Sequence, residues 1–123
     1  VFENSTNHPI VTFSKNTGDT ASVTGTTTVS PGTWYHIVGV LDGSYVTLYV
    51  DGSSEGTPVA WSGTRENSDG DVMIGGQSFD WKRLDGYIDE VRIHSTSRSS
   101  DWVLTAQCVR RSALLMIQKF LRT

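Results

Sequence analysis

The sequence contains a single cysteine, Cys108, among its 123 residues, so no disulfide can form within the chain. Proline is scarce, with 3 residues, and no apolar run reaches the roughly 18 residues that a membrane-spanning helix needs. The chain also has neither an initiating methionine nor a signal-like leader, as expected of a fragment or a mature form. These absences exclude a disulfide scaffold and predict that no helix of the chain crosses a membrane.

Acidic residues are absent after position 101. Residues 1–101 hold all 13 acidic residues and 6 of the 10 basic ones, a formal charge of −7, whereas residues 102–123 hold 4 basic residues and no acidic one. Nucleic-acid-binding surfaces are basic, so the acidic body argues against a nucleic-acid partner. The same acidity is compatible with binding a cation.

The residues that are abundant favour strands joined by tight turns: serine and threonine make up 30 residues and glycine 12. Asp-Gly pairs at 42–43 and 51–52 predict hairpin turns on either side of a strand at 45–50. Val46, Leu48 and Val50 would share the core face of that strand. The full set of predicted strands is 9–14, 19–30, 33–41, 45–50, 56–61, 71–75 and 84–94. This pattern predicts an all-β antiparallel sandwich or barrel over residues 1–100.

Several apolar side chains are expected in its core. Trp34 opens the most apolar strand and is predicted to be buried. Ile88, Val91 and Ile93 are the core candidates of the last strand.

From Ser99 onward the apolar spacing changes to that of a helix, which predicts a C-terminal amphipathic basic α-helix over residues 101–121. Ser99 or Ser100 would cap it, and Trp102 would anchor it on the sandwich. Its apolar face is too large to leave in water, so we expect the helix to pack on the sandwich or on a partner chain. A homodimer through this helix or an edge strand is expected. With only four basic residues in the tail, a membrane partner is disfavoured.

Four segments in order resemble a known family: 34–38 (WYHIV), 48–52 (LYVDG), 74–76 (IGG) and 84–93 (LDGYIDEVRI). They are similar to laminin-G-like, pentraxin-related jelly rolls of the concanavalin A-like class, over about residues 20–106. The resemblance implies a jelly-roll sandwich that is N-terminally truncated, with an unrelated helical tail. It also implies a non-catalytic carbohydrate- or ligand-binding module of a secreted or cell-surface protein, of the bacterial type.

One polar loop carries the candidate metal ligands. Calcium prefers carboxylate, amide and backbone oxygen atoms. Such side chains cluster in this loop as Glu66, Asn67, Asp69 and Asp71. Asn16 and Asp19 supply similar groups in an earlier loop. The sequence leaves two interpretations open, a Ca²⁺ site or a solvated acidic loop without metal.

A sugar site is predicted in the following loop, because sugars bind an aromatic platform with a few fixed polar groups. Trp81 and Phe79 are the best candidates for the platform, with Asp80 and Lys82 beside them and Trp61 at another loop. The alternative is that Trp81 folds back over the edge of the sandwich.

No residue pattern predicts catalysis. Asp89 and Glu90 are adjacent, so on a strand they point to opposite faces rather than across a cleft. His8, His36 and His94 have no ligand spacing and are interpreted as structural or surface residues. The chain is therefore predicted not to be an enzyme. The alternative to ligand binding is a self-association domain with no small ligand, from a larger surface protein or a mobile gene.

Overall fold

The computed structural model of the chain describes residues 7–65, 74–76, 84–108 and 117–119. Within these ranges lie six strands and one helix: β1 (Ile10–Ser14), β2 (Thr20–Thr24), β3 (Trp34–Leu41), β4 (Tyr45–Val50), β5 (Ser53–Ala60), α1 (Ser100–Cys108) and β6 (Ile117–Lys119). The strands predicted at 9–14, 33–41 and 45–50 are confirmed to within one residue. The strand predicted at 19–30 ends at Thr24, and the strand predicted at 56–61 already begins at Ser53.

The strands form two antiparallel sheets that pack face to face. β1 pairs with β2, and the second sheet has the order β5-β4-β3-β6. As the alternation predicts, Val46, Leu48 and Val50 of β4 are buried, and they meet Ala21 and Val23 of β2 between the sheets. The chain is therefore an antiparallel β-sandwich, as its sequence predicts.

Two hairpins build the larger sheet, and the predicted turns shape both. The Asp42 carboxylate accepts hydrogen bonds from the backbone N–H groups of Ser44 and Tyr45, each at 2.8 Å. These bonds hold the pKa of Asp42 below its usual range. At the second turn, Asp51 takes a left-handed φ of 48°, and its carboxylate accepts the backbone N–H of His36 at 2.8 Å. Both Asp-Gly pairs therefore form the turns that the sequence predicts.

Helix α1 packs on the outer face of the larger sheet. Of the two predicted N-cap residues, Ser99 caps the helix. The Ser99 side-chain oxygen accepts a hydrogen bond from the Trp102 N–H at 3.3 Å. Val103 is fully buried and forms a cluster with Val38 of β3, against which Trp102 also packs. The predicted role of Trp102 as an anchor is confirmed. No helix among the described residues is long and apolar enough to cross a membrane.

The strand predicted at 84–94 is wrong, because these residues have no regular secondary structure. Glu90 has a left-handed φ of 59°, which interrupts an extended chain. Tyr87 and Ile93 are 65% and 76% exposed, so Ile93 is not a core residue; Ile88 and Val91 are half-buried. Of the strand predicted at 71–75, residues 71–73 lie outside the described residues, and 74–75 are irregular.

Two expectations near the C-terminus also need correction. The predicted helix ends at Cys108, and residues 117–119 form strand β6 instead of continuing it; residues 109–116 and 120–121 lie outside the described residues. β6 pairs with the edge of β3, so backbone pairing outweighs the helical spacing there. Trp34, predicted in the core, is 40% exposed; its alternation with His36 and Val38 along β3 places it on the outer face of the larger sheet, not between the two sheets.

Candidate functional site

One rim of the sandwich brings two loops together. The turn after β1 closes through hydrogen bonds from Lys15 N–H to Asp19 O at 2.8 Å and from Gly18 N–H to Lys15 O at 3.0 Å. The segment after β5 lies beside this turn, because Lys15 and Arg65 form an antiparallel bridge. The Asn16 N–H also donates to Thr64 O at 3.1 Å. We call residues 15–19 and 61–65 the rim.

The rim is polar and carries both signs of charge. Asn16 and Asp19 present amide and carboxylate oxygens, and Asp19 accepts a hydrogen bond from the Thr17 hydroxyl at 3.4 Å. The backbones of Lys15 and Arg65 are paired across the bridge. Like charges in cross-strand pairs repel, so acidic groups nearby are electrostatically favoured. The rim combines oxygen ligands with hydrogen-bond donors, the groups that bind sugar hydroxyls and cations.

Trp61 is the one residue predicted for ligand binding that lies within the described ranges. It is only 8% exposed, and its ring packs edge-on against Phe13 with centroids 6.3 Å apart. Its indole N–H donates to Gly63 O at 3.0 Å, and Lys15 Nζ lies 5.6 Å from its ring centroid. Trp61 is therefore a core side chain that supports the rim, and a ligand contact from it stays a prediction.

The remaining predicted site residues lie outside the described residues. They comprise the aromatic loop and the acidic loop, namely Phe79, Asp80, Trp81, Lys82, Glu66, Asn67, Asp69 and Asp71. Arg65 immediately precedes the acidic loop in sequence, so that loop begins at the rim. In the described part of the chain, no three His, Cys, Asp or Glu side chains are grouped as metal ligands.

This fold agrees with the comparison against protein families. Residues 1–104 match the Laminin_G_3 family, described as the concanavalin A-like lectin/glucanases superfamily. The chain belongs to this family. The laminin-G-like resemblance of the sequence is thereby confirmed, and so is the concanavalin-like class of the sandwich.

A solved structure shares the laminin-G-like fold. It is residues 221–444 of an S-layer domain-containing protein from Clostridium thermocellum, with 20% sequence identity and a TM-score of 0.53. The alignment covers 86% of this chain and 59% of that one, so the chain spans less than two thirds of the neighbour's length. At this identity the likeness establishes the fold alone. The comparison with curated proteins found no match.

His36, interpreted from the sequence as a structural or surface residue of this laminin-G-like domain, has unusual surroundings that the sequence does not reveal. His36 alternates with Val38 and Val40 along β3, which places it on the face that α1 covers. Both of its ring nitrogens are buried, and neither has a hydrogen-bond partner among the described residues. Burial lowers the pKa of His36 to about 4, although the Asp51 carboxylate acts in the opposite direction. The ring is therefore neutral in the folded domain at neutral pH.

Acidification is expected to destabilise the domain through His36. The unfolded chain takes up a proton near pH 6.5, but the folded ring does so only near pH 4. The contribution of His36 to stability is therefore constant above pH 6.5 and falls as the pH drops from 6.5 to 4. After allowance for the partial exposure of the ring, we expect a loss of about 1–2 kcal/mol, seen as a lower midpoint in urea denaturation. A His36→Phe variant should lose this part of the pH dependence; an unchanged slope between pH 6.5 and 5 would contradict the assignment.

Proposed function

We propose that this laminin-G-like domain is a non-catalytic module of a secreted or cell-surface protein that binds a carbohydrate or a related polar ligand at the rim. The bridge between Lys15 and Arg65 is the observation that carries the proposal. It fixes two loops side by side with amide, carboxylate and cationic groups at one end of a rigid sandwich. Loops placed on a rigid scaffold are the usual location of binding sites.

We propose further that calcium assists this binding. Asn16 and Asp19 lie in the rim turn, and the acidic loop that starts after Arg65 supplies Glu66, Asn67, Asp69 and Asp71 as further oxygen ligands. Calcium takes six to eight oxygen ligands, more than one loop usually provides. The contact of the rim turn with residues 61–65, which lead into the acidic loop in sequence, supports a shared site. Trp81, Phe79, Asp80 and Lys82 are the proposed sugar-binding residues, on the basis of the sequence.

The proposal of a module without catalysis is supported by the surroundings of the adjacent acidic pair. Glu90 has a left-handed backbone, and its carboxylate is held by Arg92 at 2.7 Å. A glycosidase needs two carboxyl groups that face each other across a cleft, roughly 5–10 Å apart. Adjacent residues such as Asp89 and Glu90, one of them in an ion pair, do not match that arrangement.

A second candidate function is self-association, which exposed apolar side chains favour. Tyr87 and Ile93 precede α1, and Leu104 lies on it with 51% of its surface exposed. Such side chains contribute to association when a second copy covers them. A homodimer through α1 or an edge strand is the corresponding proposal. The S-layer domain-containing neighbour is in keeping with a surface location for either function.

Melting temperatures measured in EDTA and then in a calcium titration, at several protein concentrations, test the two functions together. A ligand that binds only the folded state at 100 times its dissociation constant stabilises it by about 2.7 kcal/mol, which is several degrees for a domain of this size. We expect such a rise with calcium. Asp19→Asn should reduce it, whereas the matched variant Asp85→Asn, at an exposed acid that is not one of the rim residues, should not.

The same titration contains the outcome that would reject the calcium proposal. A melting temperature unaffected by calcium but rising with protein concentration would favour self-association. A calcium-dependent rise leads next to titration with neutral and acidic oligosaccharides, in which Trp81→Ala is expected to weaken binding.

A further inference from the structure

A cluster of three side chains lies where the chain enters α1, apart from the rim. The guanidinium carbon of Arg98 lies 5.1 Å from the ring centroid of Trp102. The ring of His94 packs edge-on against the same indole, with centroids 5.4 Å apart and an interplanar angle of 86°. Arg98 Nη2 donates to His94 Nδ1 at 3.3 Å. Two aromatic rings therefore hold the guanidinium in one place.

The guanidinium keeps most of its hydrogen-bonding capacity. Arginine has five N–H donors, and the described contacts of Arg98 use one of them, on His94. Within the described ranges the recorded ion pair joins Arg92 to Glu90, and no carboxylate lies within 4.0 Å of Arg98. Arg98 is also exposed, so its remaining donors face water. A fixed, exposed cation with no counter-ion among the described residues is suited to a planar oxyanion, which accepts two parallel N–H bonds.

The surroundings support the same ligand. Trp102 packs in turn against the cluster of Val38 and Val103, so the platform under Arg98 is anchored in the sheet. The N-terminal end of the nine-residue helix α1, which carries partial positive charge, begins two residues later. Asp101 is the nearby acidic side chain in the first turn of α1, and it opposes anion binding. With a charge of −7 over residues 1–101, the domain repels polyanions at long range, which favours a single anionic group.

We propose that Arg98, held by Trp102 and His94, is a binding site for a single oxyanion, either a carboxylate or a sulfate group. Two sources share this chemistry, a free small anion and the acidic group of a sugar such as a uronate. The site does not depend on the rim or on calcium. It adds to the domain a second point of recognition for charged ligands, outside the rim.

Titrations followed by amide and indole N–H signals in NMR test the site at constant ionic strength. The probes are sodium sulfate, sodium acetate and sodium glucuronate, with glucose as the neutral sugar. We expect saturable shifts of the Trp102 indole signal with the anions, with dissociation constants of roughly 1–20 mM, and none with glucose. Binding of glucuronate more tightly than acetate would identify an acidic sugar as the ligand, and equal binding would identify a free oxyanion.

Two variants decide whether Arg98 is responsible. Arg98→Gln is expected to weaken anion binding by about tenfold or more, since charge-assisted hydrogen bonds are lost. Arg98→Lys keeps the charge but loses the planar pair of donors, and should be intermediate. The matched control Arg92→Gln removes the same charge from an arginine already paired with Glu90, and should bind as the parent does. Equal weakening by Arg98→Gln and Arg92→Gln, or no saturable shift in the parent, would overturn the proposal.

Discussion

Replacing Gly56 by alanine is expected to cost about 3–5 kcal/mol, much of the stability of a domain of this size. Gly56 lies in β5 with a φ of +69°, which alone costs an L-residue about 1–2 kcal/mol. An added Cβ would also come within 3.0 Å of the backbone oxygen of Thr24 and of a methyl group of Val23. The close contact between the new side chain and the backbone adds about 1–3 kcal/mol to the cost of the substitution.

The backbone of β2 cannot easily move away from that Cβ. β2 is paired along its length with β1. Just beyond it, the Glu55 carboxylate accepts the backbone N–H groups of Thr26 and Thr27 at 2.8 and 2.9 Å, as well as the Thr27 hydroxyl. Partial burial acts to raise the pKa of Glu55, but these hydrogen bonds outweigh it, so the pKa is lowered. The contact between β2 and β5 is therefore fixed on both sides.

Gly32→Ala is the matched control for Gly56→Ala. Its φ of +76° is similar, but an added Cβ would meet nothing within 4 Å. We expect it to cost only about 1–2 kcal/mol, the backbone contribution alone. Urea denaturation of both variants separates strain at a positive φ from the packing between the sheets. Equal losses in the two variants would contradict a close contact between β2 and β5.

The hairpin around β4 could be predicted from the sequence because its determinants are local. Alternating Val46, Leu48 and Val50 mark one face, and the Asp-Gly turns at both ends set the register of β3, β4 and β5. Asp42 stabilises its own turn, and the Asp51 carboxylate bonds His36 of the nearby strand β3, so no distant part of the chain has to be known. The capping of α1 by Ser99 is local in the same way.

The errors concern residues whose structure depends on distant partners. Residues 84–94 have strand-like composition, but a strand needs a neighbouring edge, and the left-handed Glu90 interrupts the segment. β6 forms at 117–119 because the edge of β3 pairs with it, which no local spacing reveals. In each case tertiary pairing overrides local propensity.

The candidate sites also combine features that are local in sequence with features that depend on distant residues. The acidic and aromatic loops can be recognised by their composition. The contact of Asn16 with Thr64 cannot, because it depends on a bridge between two segments that are some fifty residues apart in sequence. The cluster at Arg98 has a regular signal, since His94, Arg98 and Trp102 are spaced by four residues. That spacing suggests a helix, yet α1 begins only at Ser100, so the three groups meet through an irregular segment packed on Trp102.

Leu48→Ala is expected to destabilise the domain by about 3–5 kcal/mol. Leu48 is fully buried on the inner face of β4, in the cluster that includes Val23 and Trp61. Truncation removes favourable burial and leaves a cavity. Strands β3 and β5, which pair with β4 on its two sides, limit how far the core can collapse into that cavity. The midpoint of urea denaturation should fall with the slope unchanged, because the surface exposed on unfolding stays nearly the same.

Leu104→Ala provides the comparison for Leu48→Ala, with the same change of side chain at a site where 51% of the surface is exposed. Burial at Leu104 is incomplete and no cavity forms there, so we expect a loss below about 1 kcal/mol in the monomer. Because Leu104 is also one of the apolar groups proposed for self-association, its effect should be measured at low protein concentration. A loss of stability in Leu104→Ala as large as in Leu48→Ala would show that packing of α1 stabilises the domain as strongly as the core between the two sheets.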